Sequence, residues 1–219
     1  MNILAAGGLL GLIVAAAVLA IANSWRVQLT ALAVQYACLA AVFTQIVIWQ
    51  VALGRLAVGA GVVGILFLTN REITGAAPWA RPALPSSAPD AAPHVRLSSL
   101  LSAQFSADFP FRVVAAGMAL VVAASLAGQP IALLPGLSTG PKMAGFLLCG
   151  LGLLGLGLSE APMRAGLSLL TLLSGFEMLY LVVEPSLAIV ALLAAVDFGV
   201  TLAVSYLALL SAKEKEAVP

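Results

Sequence analysis

The sequence predicts an all-α, polytopic membrane protein with about seven transmembrane helices. Of its 219 residues, 62% are hydrophobic and 9% are charged, whereas soluble domains carry about 25% charged residues. A spanning helix needs about 20 mostly apolar residues, and polar breaks divide this chain into seven apolar stretches of about that length. Two carboxylates, Glu177 and Asp197, lie near the middle of adjacent stretches, which is typical of an ion path inside a membrane protein.

The predicted helices follow these stretches in order. The first is longer than the apolar core of a signal peptide and has no basic segment before it, so we expect it to be retained. The second and third come from an almost continuous apolar run, 29–69. As one helix this run would be roughly 60 Å long, twice the hydrocarbon thickness, so a turn is expected within 45–50. The seven predicted spans are 3–22, 28–46, 48–69, 112–128, 143–159, 165–183 and 186–210.

The basic residues predict the orientation of these helices. With the N-terminus outside, Lys142 is the one basic residue of the outer loops, and Arg55 lies within a span. All others fall on the inner side, where Lys and Arg are in excess in membrane proteins. We therefore expect an N-out, C-in topology. The inner basic residues are Arg26, Arg71, Arg81, Arg96, Arg112, Arg164, Lys213 and Lys215.

A long inner loop divides the chain into segments. Residues 1–69 are expected to form an N-terminal three-helix membrane unit, and residues 70–111 a cytoplasmic segment. Residues 112–142 hold the fourth helix and an outer loop, 143–210 form a three-helix module, and 211–219 are a polar tail.

The cytoplasmic segment 70–111 has two different halves. Its first half is a Pro-rich linker, expected to be extended. In its second half apolar residues recur at three- and four-residue spacing, which predicts one amphipathic helix. This helix is expected to lie on the inner membrane surface or on a neighbouring subunit. Its apolar residues are Leu97, Leu100, Leu101, Phe105 and Phe109.

Glu177 and Asp197 are the first candidates for chemistry. A charged side chain at the bilayer centre costs about 3 kcal/mol or more. Two acids on neighbouring helices therefore indicate a structural or functional role. Measured from the predicted turn between the two helices, the depths of the two acids differ by roughly 8 Å. Water can bridge a gap of this size. One reading is a stepwise proton relay; the other is that the acids only hold helices together, satisfied by Ser174, Tyr180 or Thr201.

Arg55 lies at a depth similar to that of Glu177. A guanidinium at this depth needs a counter-ion or a water-filled cavity. Glu177 is the simplest partner; an acid on another subunit and snorkelling to the outer interface are the alternatives. Gln35 and Gln45 add polarity to the second helix, where they either extend a wet path or bond to neighbouring helices.

Several function classes are excluded or disfavoured by the sequence. Cys38 and Cys149 lie in separate apolar spans, and His94 is the single histidine, so iron–sulfur and bis-histidine haem sites are not expected. No Gly-rich phosphate loop, CxxC or HExxH motif is present. We therefore expect no cofactor, no metal site, no catalytic residue and no small-molecule substrate. The near-zero net charge gives no sign of a nucleic-acid partner.

The C-terminal third of the chain resembles a known module. A glycine-rich run, 152–158, precedes a helix with Gly175-Phe176-Glu177, and the next helix carries Asp197. This pattern resembles the K subunit of bacterial complex I and the C subunit of Mrp-type cation/proton antiporters, although Asp197 stands where the K subunit usually has glutamate. With its additional N-terminal helices and Arg55, the whole chain is similar to the E subunits of hydrogenase-4-type complexes.

The resemblance implies a non-catalytic subunit of a complex I-, hydrogenase- or Mrp-like assembly in the bacterial cytoplasmic membrane, next to antiporter-like subunits. It implies that Glu177 is the central protonatable site, that Asp197 is its relay partner, and that Arg55 tunes Glu177. One alternative is a structural or assembly subunit of a respiratory or photosynthetic complex. Another is a stand-alone proton-coupled transporter, but the inverted repeats frequent in such proteins are not evident.

Overall fold

The structure, a computed structural model, describes residues 3–22, 24–46, 49–74, 108–129, 139–159, 161–184 and 186–217. Nearly all of these residues are α-helical, and no strand occurs among them, which confirms the predicted all-α class. The helices are α1 (Ile3–Ile21), α2 (Trp25–Ile46), α3 (Trp49–Thr74), α4 (Asp108–Ala127), α5 (Thr139–Gly157), α6 (Pro162–Val183) and α7 (Leu187–Ala217).

Two predicted turns fall between the ends of described helices. Within the almost continuous run 29–69, α2 ends at Ile46 and α3 begins at Trp49. The turn at Glu184 separates α6 from α7, and the Glu184 backbone N–H donates to the Tyr180 carbonyl, closing the last turn of α6.

Six of the described helices extend beyond one end of their predicted apolar spans by three residues or more. α3 continues to Thr74 rather than 69, α4 begins at Asp108 rather than 112, and α7 continues to Ala217 rather than 210. The predicted polar tail, 211–219, is therefore largely a continuation of α7. Apolar composition marks only the part of a helix that lies in the hydrocarbon of a membrane. The helix itself can continue through Lys and Glu, which are good helix formers.

The predicted amphipathic helix lies outside the described residues, apart from the end of its segment at 108–111. These residues, Phe109 among them, belong to the first turn of α4. The Pro-rich linker, which we expected to be extended, also lies outside the described residues.

Several helices indicate a membrane-embedded protein. Among the described residues, five helices are long and apolar enough to cross a bilayer, and the apolar segment Gly7–Ile21 of α1 is shorter. The five candidate spans are Trp25–Thr44, Trp49–Ile73, Pro110–Ala127, Thr139–Gly157 and Leu187–Lys213. α4 also exposes a row of large apolar side chains, including Val114, Met118 and Val121.

Glycines allow α5 and α6 to pack closely. A Cβ on Gly152 would lie 2.6 Å from the Leu172 backbone nitrogen, and one on Gly175 would lie 2.7 Å from the Cys149 nitrogen. Real Cβ atoms do not approach backbone atoms this closely, so larger residues would separate the helices. This contact fixes the position of α6, which carries Glu177.

The N-terminal helices and the C-terminal module share one core. α3 packs against both α2 and α7, and α6 contacts α5, α7 and α2. One buried cluster combines Leu32 and Tyr36 of α2, Leu66 of α3, Leu170 of α6 and Val204 of α7. The side chains of α2, α3, α6 and α7 therefore meet in the middle of the bundle.

Four arginines gather at one end of the bundle. Arg26 and Arg71 line one pocket between the start of α2 and the end of α3. Arg112 and Arg164 line another, together with residues from the end of α1. The end of α1 is followed closely by the start of α2, so both pockets lie at the same end of the bundle. The last turns of α5 line the Arg112 pocket, whereas Lys142 lies in the first turn of α5. Lys142 therefore lies at the opposite end.

Candidate functional site

Arg55 is the centre of a buried ion cluster. Its Nη2 lies 2.6 Å from Oε2 of Glu177, and its Nη1 donates to Oδ2 of Asp197. Arg55 is 1% exposed, and each acid is 2% exposed. The guanidinium therefore does not snorkel to an interface, and both of its acidic partners belong to the same chain. The predicted pairing with Glu177 is present, and Asp197 is a second partner that depth alone did not indicate.

The Arg55 guanidinium bridges the two acids. From the sequence we expect a gap between Glu177 and Asp197 that water can bridge, and the structure shows that Arg55 contacts both carboxylates. The reason is that α3 packs directly against α7 while α7 packs against α6. A side chain from α3 can therefore reach the gap between the two acids.

Tyr36 on α2 also belongs to the cluster. It was not among the site residues predicted from the sequence. The Arg55 guanidinium lies over the Tyr36 ring, 4.8 Å from its centroid, a favourable cation–π geometry. The Tyr36 hydroxyl donates to Oδ2 of Asp197 over a long 3.5 Å. A tyrosine in the middle of an apolar helix was the available signal, because a buried phenol usually has a polar partner.

Ser174 joins the cluster, but through the arginine rather than through an acid. Its Oγ accepts from Nη2 of Arg55 at 3.3 Å, and its hydroxyl donates to the Leu170 carbonyl one turn earlier on α6. Ser174 is fully buried. It therefore adds a neutral oxygen to the environment of the guanidinium and does not change the charge of the cluster.

Thr201 and Tyr180, which were also predicted to satisfy the acids, lie in two different environments. The Thr201 hydroxyl donates to the backbone carbonyl of Asp197, 2.7 Å away, so it lies one turn along α7 and does not bond the carboxylate. Tyr180 is 38% exposed and stacks on Phe176, with ring centroids 5.5 Å apart. Its ring lies on the outside of α6, away from the cluster.

The two glutamines of α2 are the remaining predicted residues. Gln35 is fully buried, and within the described part of the chain neither polar atom of its amide has a hydrogen-bond partner. Such a group is costly in an apolar interior. The side chain of Gln45 lies outside the described residues.

The charges of the cluster do not balance. Arg55 is the one buried cation of the described residues, and it faces two buried carboxylates. With all three groups ionised, the cluster carries one excess negative charge. Uncompensated charge is expensive in a medium of low dielectric constant. Binding one proton makes the cluster neutral, so this site has the chemistry of a proton-binding group.

The possible metal ligands of the described residues form no candidate metal site, and the two cysteines lie on different helices. Within those residues, no group of three or more His, Cys, Asp or Glu side chains could hold a metal ion. Cys38 and Cys149 are free thiols. Cys38 lies against Gly11 of α1, and the Cys149 thiol makes a weak, 3.8 Å contact with the Leu172 carbonyl.

Comparisons with protein-family models, with curated proteins and with solved structures find no match for this chain. The geometry around Arg55 is therefore the main support for a function.

Proposed function

We propose that this chain is a non-catalytic membrane subunit of a complex I-, hydrogenase-4- or Mrp-like assembly, and that its buried carboxylates form part of a proton path. The observation that carries the proposal is the cluster of one arginine and two acids, enclosed by four helices and bearing one excess negative charge. Intramembrane ionisable residues of this kind mark ion paths and proton relays. The sequence pattern Gly175-Phe176-Glu177 with Asp197 supports the choice of assembly.

The two acids have different surroundings, which suggests different roles. Oδ2 of Asp197 accepts from both Arg55 and Tyr36, whereas Arg55 is the one polar contact that the described residues provide to Glu177. Protonating Glu177 therefore breaks fewer interactions than protonating Asp197. In the proposed cycle, Glu177 takes up the proton while Asp197 keeps Arg55 in place.

Arg55 is the charge that couples the acids. When Glu177 is ionised, the guanidinium is shared between both carboxylates; when Glu177 is protonated, its attraction to Arg55 falls and Asp197 holds the guanidinium. A neighbouring subunit that draws Arg55 toward Asp197 would load Glu177 with a proton. The reverse movement would discharge it.

The proposed topology is seven crossings with the N-terminus outside and the C-terminus inside a bacterial cytoplasmic membrane. The arginines at one end of the bundle, Arg26, Arg71, Arg112 and Arg164, support this orientation because cytoplasmic ends of membrane proteins are rich in Lys and Arg. The exposed apolar side chains of α4 offer a surface for lipid or for neighbouring, antiporter-like subunits.

A structural role is the second candidate, and one observation favours it. Arg55 connects α3 to both α6 and α7, so the cluster also fastens the N-terminal helices to the C-terminal ones. A subunit kept only for assembly in a respiratory or photosynthetic complex would need nothing more. The two candidates differ in what happens to ion flux when Glu177 loses its charge.

The experiment is purification of the protein from its native membrane, followed by mass spectrometry of the proteins that accompany it. We expect antiporter-like subunits of about a dozen or more helices. Isolation with pigment-binding or cytochrome subunits alone would favour the structural role, and isolation without any partner would favour a stand-alone transporter. Ion flux per assembled complex, measured with Glu177→Gln, then decides whether the cluster moves protons.

A further inference from the structure

The pocket between α2 and α3 at the arginine-rich end has a composition that the proton path does not explain. It has a volume of about 480 Å³ and is lined by Trp25, Arg26, Leu29, Thr30, Phe67 and Arg71. This volume lies within the range of ligand sites, about 300–1,000 Å³. Two of the lining residues are arginines, three are apolar or aromatic, and the sixth, Thr30, bonds its own helix, so the pocket suits an amphiphilic molecule with a negative charge.

The positive charge of the pocket is not balanced within the described residues. Arg26 lies in the first turn of α2 and Arg71 in the last turn of α3, and neither forms a salt bridge with any acid of the described part of the chain. Arg26 instead lies over the Trp25 ring, 5.4 Å from the centroid. The first turn of α2 holds no acid, although the positive end of a helix dipole favours a negative group there.

The apolar wall lies where lipid is expected. Trp25 opens α2, and Phe67 and Arg71 lie in the last part of the candidate span Trp49–Ile73. The Trp25 and Phe67 rings contact each other at 6.5 Å between centroids. Tryptophan is enriched at the level of the lipid headgroups, so we expect the arginines at headgroup depth and the half-exposed Phe67 ring, one turn before Arg71 on α3, toward the acyl chains.

From the charge, the depth and the apolar wall, we infer that this pocket binds the phosphate headgroup of an anionic phospholipid. Arg26 and Arg71 contact the phosphate, while Leu29 and Phe67 contact the glycerol and the first part of an acyl chain. The site is separate from the Arg55 cluster, and the inference stands whether or not the cluster conducts protons. A free phosphate also carries negative charge, but it has no apolar group that could contact the apolar wall.

The test measures lipid selectivity of the full-length protein in detergent by native mass spectrometry, with phosphatidylglycerol and phosphatidylcholine added in equal amounts. We expect the wild type to retain phosphatidylglycerol with roughly tenfold or greater preference, since basic residues at the headgroup level attract anionic lipid. Arg26→Gln combined with Arg71→Gln should abolish the preference. Arg26→Lys combined with Arg71→Lys should keep most of it, which separates loss of charge from loss of fold.

The matched control is Lys142→Gln combined with Lys213→Gln, which removes the same net charge from residues that do not line the pocket and should leave the preference unchanged. Equal preference in the wild type and in the Arg26/Arg71 glutamine variant would overturn the inference, as would an equal loss in the lysine control. Displacement of the lipid by inorganic phosphate at equal concentration would also overturn it, because the occupant would then be a soluble anion.

Discussion

Nη2 of Arg55 lies 2.6 Å from Oε2 of Glu177, so a residue of the third helix is the counter-ion of a residue of the sixth. The same guanidinium also bonds Asp197 on the seventh helix. The proposed ion path and the attachment of the N-terminal helices to the C-terminal ones therefore both involve one side chain. Substitutions around Arg55 can separate these two roles.

Replacing Arg55 with leucine should destabilise the protein strongly. The change leaves Glu177 and Asp197 buried without a cation, and breaking a buried ion pair in this way costs about 3–5 kcal/mol. We expect a large fall in the thermal midpoint measured in detergent. Adding Glu177→Gln and Asp197→Asn to Arg55→Leu should restore much of the loss, because the resulting cluster is neutral. No recovery in the triple variant would mean that charge balance is not what holds this region together.

Glu177→Gln should stop proton movement without preventing assembly. The amide keeps the shape of the side chain and an oxygen for Arg55, but it cannot bind and release a proton. We expect flux per assembled complex to fall roughly tenfold or more, measured as proton uptake in vesicles. Glu184→Gln is the matched control, since Glu184 is exposed beyond the end of α6, and it should leave flux unchanged. Normal flux in Glu177→Gln, with a changed yield of complex in Glu177→Ala, would support the structural role instead.

The Tyr36 ring should matter more than its hydroxyl. The hydroxyl makes one long, 3.5 Å bond to Asp197, whereas the ring supports the guanidinium from 4.8 Å. Tyr36→Phe should therefore cost about 1 kcal/mol or less. Tyr36→Leu should cost more, since a desolvated cation–π contact contributes about 2 kcal/mol and aromatic contact area is lost as well. Thermal unfolding of both variants measures the difference; equal losses would assign the contribution to the hydroxyl.

Gly59 provides the space that the Tyr36 ring occupies. A Cβ at position 59 would lie 2.6 Å from Cβ and Cγ of Tyr36, so Gly59→Ala should displace the ring from Arg55. We expect a destabilisation of about 1–3 kcal/mol, the usual cost of overpacking. Gly54→Ala on the same helix is the control, because nothing lies within 4 Å of its added methyl group. If Gly54→Ala proves as harmful as Gly59→Ala, the effect belongs to the flexibility of α3 and not to this contact.

The sequence predicted the positions of the helices along the chain well, but it did not predict how each helix is rotated about its own axis. Apolar runs and polar breaks predicted that α2 and α3 are separate helices and that α6 ends near Glu184, because one crossing of the hydrocarbon takes only about 20 residues. Helix ends such as Thr74 and Ala217 were underestimated, because a helix continues through polar residues outside the lipid. The predicted amphipathic helix falls almost entirely outside the described residues and stays a prediction.

The site could be predicted only in part for a related reason. Charge at depth identified Arg55, Glu177 and Asp197, since such residues are rare in apolar helices. Which residues face one another depends on helix rotation, and a helix that is apolar on every side has no pattern from which to read it. Tyr180 was predicted as a possible partner of the acids and Tyr36 was not, yet Tyr36 lies against Arg55 and Tyr180 lies on the outside of α6.

The distance along the chain between Arg55 and its acids has a consequence for biogenesis. Asp197 follows Arg55 by 142 residues, which a ribosome needs roughly 7–28 s to translate at about 5–20 residues per second. During that interval α3 carries a cation whose partners have not yet been made. Since an unpaired guanidinium is costly in hydrocarbon, we expect α3 to be less stably inserted until α6 and α7 arrive. The last two helices would then supply the counter-ions that Arg55 lacks.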